Sequence, residues 1–362
     1  MIPVSKPWLP EFEDFNKKLI GPWGTGILTH NGPLVQEFEK RLCEIWGVRN
    51  VIAVSNGTMA IQLALRALRV EGTVITTPFT WHATATAIKW EGCEVKFADI
   101  SSDNLCLDPL KVESQIDEKT GAIMPVNVYG NPPDFDSFDE ISARSGIPII
   151  YDAAHACSTS FDGESTLRNG AISVTSFHAT KLIHTAEGGA CITDDDEIAE
   201  RLRELRFFGF TRDGAVSEFG TNAKMTEVNA ALGLCCLDNL DWILEHRKNL
   251  AWSYSKILRN CEGVRILNSD NPRFQANNLY YPILLENEHV LEEVSESLIS
   301  KEIIPRRYFY PSLNTIESFD LSPCPTSEDI AGRVLCLPIH THLDEVSVKI
   351  IAEDIINSIE NM

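Results

Sequence analysis

A chain of 362 residues with 44% hydrophobic content can bury a sizeable interior and is long for one core, so a large domain with a smaller companion is expected. Its 31 basic residues against 52 acidic ones leave a net charge of −21, which argues against nucleic acid or an anionic membrane as a partner. No charged segment followed by an apolar run opens the sequence and no stretch is apolar enough to span a bilayer, so a cytoplasmic protein is expected. The ten cysteines include no C-x-x-C pair, and most lie in apolar runs, as buried reduced thiols do.

In chain order, the first 40 residues carry loop signals at Gly21-Pro22 and Asn31-Gly32-Pro33 and are expected to cover the large domain or a partner. From about 45 to 240, short β-branched runs recur at Val51–Val54, Val74–Thr77, Glu94–Phe97, Ala122–Val126, Pro148–Tyr151, Ile172–Phe177 and Ala190–Thr193. Helical patterns at Thr58–Leu68, Ala83–Trp90 and Phe135–Ser145 separate several of them. This alternation predicts an α/β fold with a mainly parallel sheet covered on both faces, and ligands at the carboxyl ends of its strands. Asn229–His246 reads as one long helix leading out of that unit. Beyond it, Val290–Lys301 and Glu345–Ile359 read as helices around strands such as Tyr280–Leu285. The expected division is a large domain at 1–240 and a small α+β domain at 241–362.

The chemistry gathers where strands end. Ile149-Ile150-Tyr151 runs into Asp152, then the small Ala153 and Ala154. A lone Asp there is more often a turn or helix cap. The next strand, Ile172–Phe177, leads to Lys181 and then to Glu187-Gly188-Gly189; Lys181 follows Asp152 by 29 residues. This pairing suits pyridoxal phosphate, which needs a lysine amine for its aldehyde and an anion that keeps its pyridine nitrogen protonated. Burial of such a lysine favours the neutral amine that imine formation requires. Ser55-Asn56-Gly57-Thr58 opens a helix and offers a close backbone approach, a hydroxyl and free N–H groups to a phosphate, although a plain helix cap has the same look. Trp81 follows a strand and is placed to stack on a planar ring, although a lone tryptophan there is more often core. His178 and His184 are close in sequence, but loop packing or sugar contact explains them better than a metal pair, and no metal site is expected. The first strand lacks the G-x-G-x-x-G turn of a nicotinamide dehydrogenase.

Taken together, Ser55-Asn56-Gly57-Thr58, Pro78-Phe79-Thr80-Trp81, Tyr129-Gly130 with Asp134, Asp152-Ala153-Ala154-His155-Ala156, Ser176-Phe177-His178, Lys181, Glu187-Gly188-Gly189 and Leu337-Pro338 occur in order along nearly the whole chain. With Leu28–Pro33 they resemble the DegT/DnrJ/StrS family of pyridoxal-phosphate-dependent sugar aminotransferases. The resemblance implies a type-I pyridoxal-phosphate transferase fold, aspartate-aminotransferase-like, with Lys181 as the Schiff-base lysine that also moves the proton. Asp152 would be the pyridinium partner, His155 the residue beside the ring and Trp81 the stacking aromatic. Gly57, Thr58 and Ser176 would hold the phosphate, and Asn222 would reach the cofactor of the neighbouring subunit in a homodimer with shared sites.

The implied reaction moves an amino group from L-glutamate to a nucleotide-linked keto sugar, with the cofactor alternating between pyridoxal and pyridoxamine phosphate. The favoured sugar is dTDP-4-keto-6-deoxy-D-glucose, in deoxyaminosugar or O-antigen biosynthesis. A 3-keto or UDP-linked sugar, a dehydratase relative and a non-catalytic homologue are the alternatives; Lys181 speaks against the dehydratases, which replace it. Substrate contacts are expected within 23–33 and 305–311, with Asn31, His178, Arg306 and Tyr308 as candidates and Arg306 or Arg307 facing the diphosphate. The chain departs from the family at Ala186, which precedes Glu-Gly-Gly where Gly is usual, and at Ala223 and Lys224, which replace a common Tyr and Arg.

Overall fold

The computed structural model describes residues 1–267 and 271–362. Seven strands form the main sheet: β1 (Asn50–Val54), β2 (Thr73–Thr76), β3 (Glu94–Phe97), β4 (Thr120–Met124), β5 (Ile150–Asp152), β6 (Ile172–Ser176) and β7 (Gly189–Thr193). They lie in the order β1-β7-β6-β5-β4-β2-β3, with β4 and β5 joined by the bridges Ile123–Ile149 and Val126–Asp152. All run parallel except β7, which is antiparallel to both neighbours. Every residue of β1, β5 and β7 is buried, as strands covered on both faces require.

Helices follow the strands and bring their N-termini to the strands' carboxyl ends. After β1, α3 (Gly57–Ala67) starts where the Asn56 side chain accepts the Met59 N–H at 2.8 Å. After β2 comes α4 (Ala83–Trp90), and after β4 comes α5 (Phe135–Ser145), capped by Asp134 and ended by Gly146 at φ 73°. Gly189 has a packing reason: a Cβ there would meet the Asn56 carbonyl carbon at 2.6 Å and the Gly57 nitrogen at 2.7 Å, so only glycine lets β7 pass under the start of α3.

The N-terminal segment departs from its loop signals. It forms α1 (Phe12–Thr25) and α2 (Pro33–Trp46). Pro22 sits inside α1 and is buried, and the Thr25 hydroxyl returns to the carbonyls of Gly21 and Pro22 at 3.2 and 3.3 Å; the helix stops at Gly26, not at the proline. Asn31-Gly32 is a turn as expected, and Pro33 opens α2. No side chain of the turn caps α2. The buried Glu227 does so from far along the chain, accepting the N–H groups of Leu34 and Val35 at 2.8 and 3.0 Å.

The single helix expected at 229–246 is two, α6 (Glu227–Asp238) and α7 (Leu240–Leu258). Asn239 divides them. Its amide group donates to the Cys235 carbonyl at 3.0 Å and its own carbonyl starts the next helix at Ile243, so a side chain that competes for backbone bonds ends one helix and begins another. Farther on, Val264–Ile266, Tyr281–Leu285 and Val334–Leu337 form an antiparallel sheet packed on α7, Glu288–Ser300 and Glu345–Glu360. The chain's start joins this part, since Ile2–Pro3 pairs with Ile303–Ile304. All ten cysteines are free thiols, eight of them buried. Among the described residues no helix is long and apolar enough to cross a membrane.

Candidate active site

A cleft of about 600 Å³ opens at the carboxyl ends of β1, β4, β5 and β6. Gly57, Thr58, Trp81, Asp152, His155, Ser176, His178, Lys181, Arg306 and Tyr308 all line it, so ten of the residues singled out from sequence share one site. They come from positions 57 to 308, and only the fold brings them together.

Asp152 closes β5 and is 5% exposed. Its Oδ1 accepts the Ala154 N–H at 3.2 Å and its Oδ2 the Thr84 hydroxyl at 2.7 Å. Burial pushes its carboxyl above the usual range; the two hydrogen bonds and the Lys181 cation oppose that. Lys181 lies in the turn after β6. Burial brings its ammonium down from 10.5 to about 8, although Asp152 pulls the other way. An amine brought to about 8 is still mostly charged near neutral pH, but it keeps a far larger neutral fraction than one at 10.5, and that neutral form is what a nucleophile or proton acceptor must be.

His155 is buried and neutral: burial lowers its imidazole well below 6.5, and Lys181 adds to the effect. Its Nδ1 accepts the Tyr129 N–H at 3.3 Å, which assigns the proton to Nε2. The ring stacks on Phe309 with centroids 5.7 Å apart and meets Tyr280 edge-on at 4.9 Å. Across the opening, Trp81 stays 43% exposed and the Arg306 guanidinium lies 5.7 Å from its ring and 4.6 Å from that of Tyr308. His178 is exposed on the rim, with its Nδ1 2.9 Å from the Thr180 hydroxyl, whereas His184 bonds the Trp8 carbonyl at 2.6 Å; the two do not form a pair.

The residues present fit pyridoxal phosphate. A primary amine and a buried carboxylate face one cleft with aromatic walls. At its end, the first-turn amides of Gly57 and Thr58 lack intrahelical acceptors, beside the Ser176 hydroxyl, which is suitable for a phosphate. A Cβ on Gly57 would come within 3.0 Å of Ser176 Cβ, so a side chain there would crowd the cradle.

Two candidates lie elsewhere. Asn222 is exposed outside this cleft; its Oδ1 accepts from Lys224 at 2.5 Å, and its backbone bridges Phe207. Asn31 belongs to the turn before α2, where neighbouring His30 packs edge-on against Phe207 at 5.2 Å. The two asparagines therefore border one surface, and neither lines the cleft of its own chain. The structure also separates the adjacent arginines. Arg307 bonds Glu288 at 2.6 Å and stacks on Tyr310 at 3.4 Å, whereas Arg306 has no carboxylate partner among the described residues and faces the cleft. Thr84 and Tyr280 were not expected in the site, and Phe309 was expected only as an unassigned member of 305–311. Thr84 had a signal, a hydroxyl one helical turn after Thr80 at the start of a helix beyond a strand's carboxyl end. Tyr280 read as a strand residue, but it sits in the loop just before its strand, and Phe309 read as part of an undivided substrate segment.

Comparison with known proteins agrees with this chemistry. The model of the DegT/DnrJ/EryC1/StrS aminotransferase family matches residues 12–356. The dTDP-4-amino-4,6-dideoxy-D-glucose transaminase of Shigella dysenteriae is 38% identical over 358 residues, covering 97% of each chain. The enzyme of that name from Escherichia coli is 36% identical over 360 residues, covering 96% of each. The structure of DesI, determined in the presence of its TDP-sugar product, superposes with a TM-score of 0.93 at 31% identity, over 98% of this chain and 92% of that one. The chain belongs to the DegT/DnrJ/EryC1/StrS aminotransferase family and is a pyridoxal-phosphate-dependent aminotransferase.

Proposed function

We propose that the protein transfers the amino group of L-glutamate to the keto carbon of a nucleotide-linked sugar, dTDP-4-keto-6-deoxy-D-glucose. The observation that carries this reading is the placing of the Lys181 amine, the buried Asp152 carboxylate and the Arg306 guanidinium, which has no carboxylate partner among the described residues, around one cleft. The names of the two relatives that match almost the whole chain support the sugar.

Pyridoxal phosphate, when bound, supplies an aldehyde that carries the amino group and a ring that takes up the electron pair left when a carbon gives up its proton. Gly57, Thr58 and Ser176 hold its phosphate, Asp152 keeps its ring nitrogen protonated, and His155 and Trp81 flank it. The neutral Lys181 Nζ accepts the proton from the substrate carbon and returns it, a role for which an amine near 8 is well matched. Arg306 receives the diphosphate; the planar guanidinium suits it, and an acidic protein must supply positive charge locally. His178 and Tyr308 contact the sugar from the rim. Asn222 and Asn31 act on the cleft of a second copy, in a homodimer with two shared sites; their position outside their own cleft, with Asn222 exposed and both near Phe207, supports this. The same proposal includes the division at 240/241, supported by the separate core beneath the second sheet, and a cytoplasmic location, supported by ten free thiols.

The test is a panel of dTDP- and UDP-linked 4-keto and 3-keto sugars, each offered with glutamate, with products located by NMR. Amination at carbon 4 of the dTDP sugar is expected. Amination at carbon 3 or a strong UDP preference would replace the sugar assignment, and turnover of simple keto acids alone would remove it.

A further inference from the structure

Asp152 serves a ring nitrogen only while it is ionised and turned the right way, and its burial works against ionisation. The structure holds a device that opposes this. The Thr84 hydroxyl lies 2.7 Å from Asp152 Oδ2, and the Thr80 hydroxyl lies 2.9 Å from that of Thr84. Thr84 is 1% exposed and Thr80 3%, so bulk water does not compete for either bond. A hydroxyl has one proton to donate. A carboxylate only accepts, so Thr84 donates to Asp152 and must take its own hydrogen bond from Thr80. The chain is directed, Thr80 to Thr84 to Asp152, across the turn that leads into α4. Among the charged or titratable groups that line the cleft, Lys181, from the turn after β6, is the one whose charge acts on Asp152; His155, His178, Glu187, Tyr280, Arg306 and Tyr308 line it too, and among the described residues none of these groups donates to the carboxylate. Oδ1 is left with only the Ala154 amide at 3.2 Å.

We propose that Thr84, backed by Thr80, is a positioning residue that holds Asp152 ionised and fixes Oδ1 as the oxygen offered to the cofactor's ring nitrogen. This rests on the reading of Asp152 as the partner of that nitrogen. Without the Thr84 proton, the carboxylate's affinity for a proton rises, and the proton shared with the ring moves toward the acid.

The experiment is reconstitution of the holoenzyme with ¹⁵N-labelled pyridoxal phosphate and measurement of the ring-nitrogen chemical shift across pH, beside the single-turnover rate with glutamate. Thr84→Val keeps the side chain's shape and removes the donor. It is expected to bind the cofactor, to move the nitrogen signal toward the unprotonated position, and to slow single turnover about tenfold, the lower end for one hydrogen bond to a charged group. Thr84→Ser should restore both readouts, and Thr80→Val should move both in the same direction by less. A nitrogen shift and a rate within twofold of wild type in Thr84→Val would overturn the proposal. If Thr84→Val does not hold the cofactor, the decision falls to Thr80→Val, where an unmoved nitrogen signal overturns it. Asp152→Asn separates the two levels: an unchanged nitrogen signal there would remove Asp152 itself as the partner, and Thr84's role with it.

Discussion

A lysine held at the floor of the cleft lowers the stability of the protein that carries it, and the size of that effect follows from its proton affinity. The Lys181 ammonium falls from 10.5 to about 8. A tenfold change in proton affinity is ~1.4 kcal/mol, so the charged form is less stable in the folded site than in the unfolded chain by ~3 kcal/mol, net of attraction to Asp152. Residual solvent contact at the half-buried side chain reduces this to ~2 kcal/mol. The sign follows from proton counts. Below pH 8 the amine is charged in both states and the full penalty applies. Between 8 and 10.5 the folded site has released a proton that the unfolded chain keeps, so stability rises with pH; above 10.5 the penalty is gone. Lys181→Met, similar in length and uncharged, is therefore expected to stabilise the cofactor-free protein at pH 7 by ~2 kcal/mol, or ~3 °C in melting temperature for a chain of this length. The advantage should shrink by up to ~1.4 kcal/mol per pH unit above pH 8. Urea and thermal unfolding of the two cofactor-free proteins at matched concentration, from pH 6.5 to 9.5, measures this. A Met variant no more stable than wild type at pH 7, or a gap that ignores pH, would refute the reasoning. If Lys181 carries the cofactor as proposed, borohydride should trap a link to it in wild type and none in this variant, so the stabilising change is expected to abolish the chemistry.

Asp152→Asn should still bind the cofactor but slow single turnover with glutamate by ~10²–10³-fold, because a charged partner worth several kcal/mol is replaced by a neutral one; a near-normal stopped-flow rate would mean that another acid holds the ring nitrogen. Mixing Lys181→Ala with Asn222→Ala should restore about one working site per mixed dimer, and an active monomer in sedimentation would end the shared-site picture.

Much of the fold was legible in sequence because it is written in local patterns. Glu94–Phe97, Ala83–Trp90 and Phe135–Ser145 have their expected bounds, and Asp152 and Lys181 stand just where strands end, as read. A β-branched run shows that a strand exists but carries no sign of its direction, so the antiparallel course of β7 was not readable; Gly189 shows why the strand enters there, and only in three dimensions. Pro22 and Asn239 mark the same limit from opposite sides. A residue that usually stops helices sits inside one, and a polar residue in a continuous helical pattern divides it, because tertiary burial and side-chain hydrogen bonds outweigh local preference. Local pattern likewise treats Arg306 and Arg307 alike; Glu288 occupies one and leaves the other to the cleft. The Thr84–Asp152 bond spans 68 positions and the Glu227 cap on α2 more than 190. Sequence by itself determined which residue types stand at the ends of which strands, and so the class of chemistry. Tertiary structure alone decided which of them meet, because hydrogen bonds and burial act over ångströms and take no account of distance along the chain.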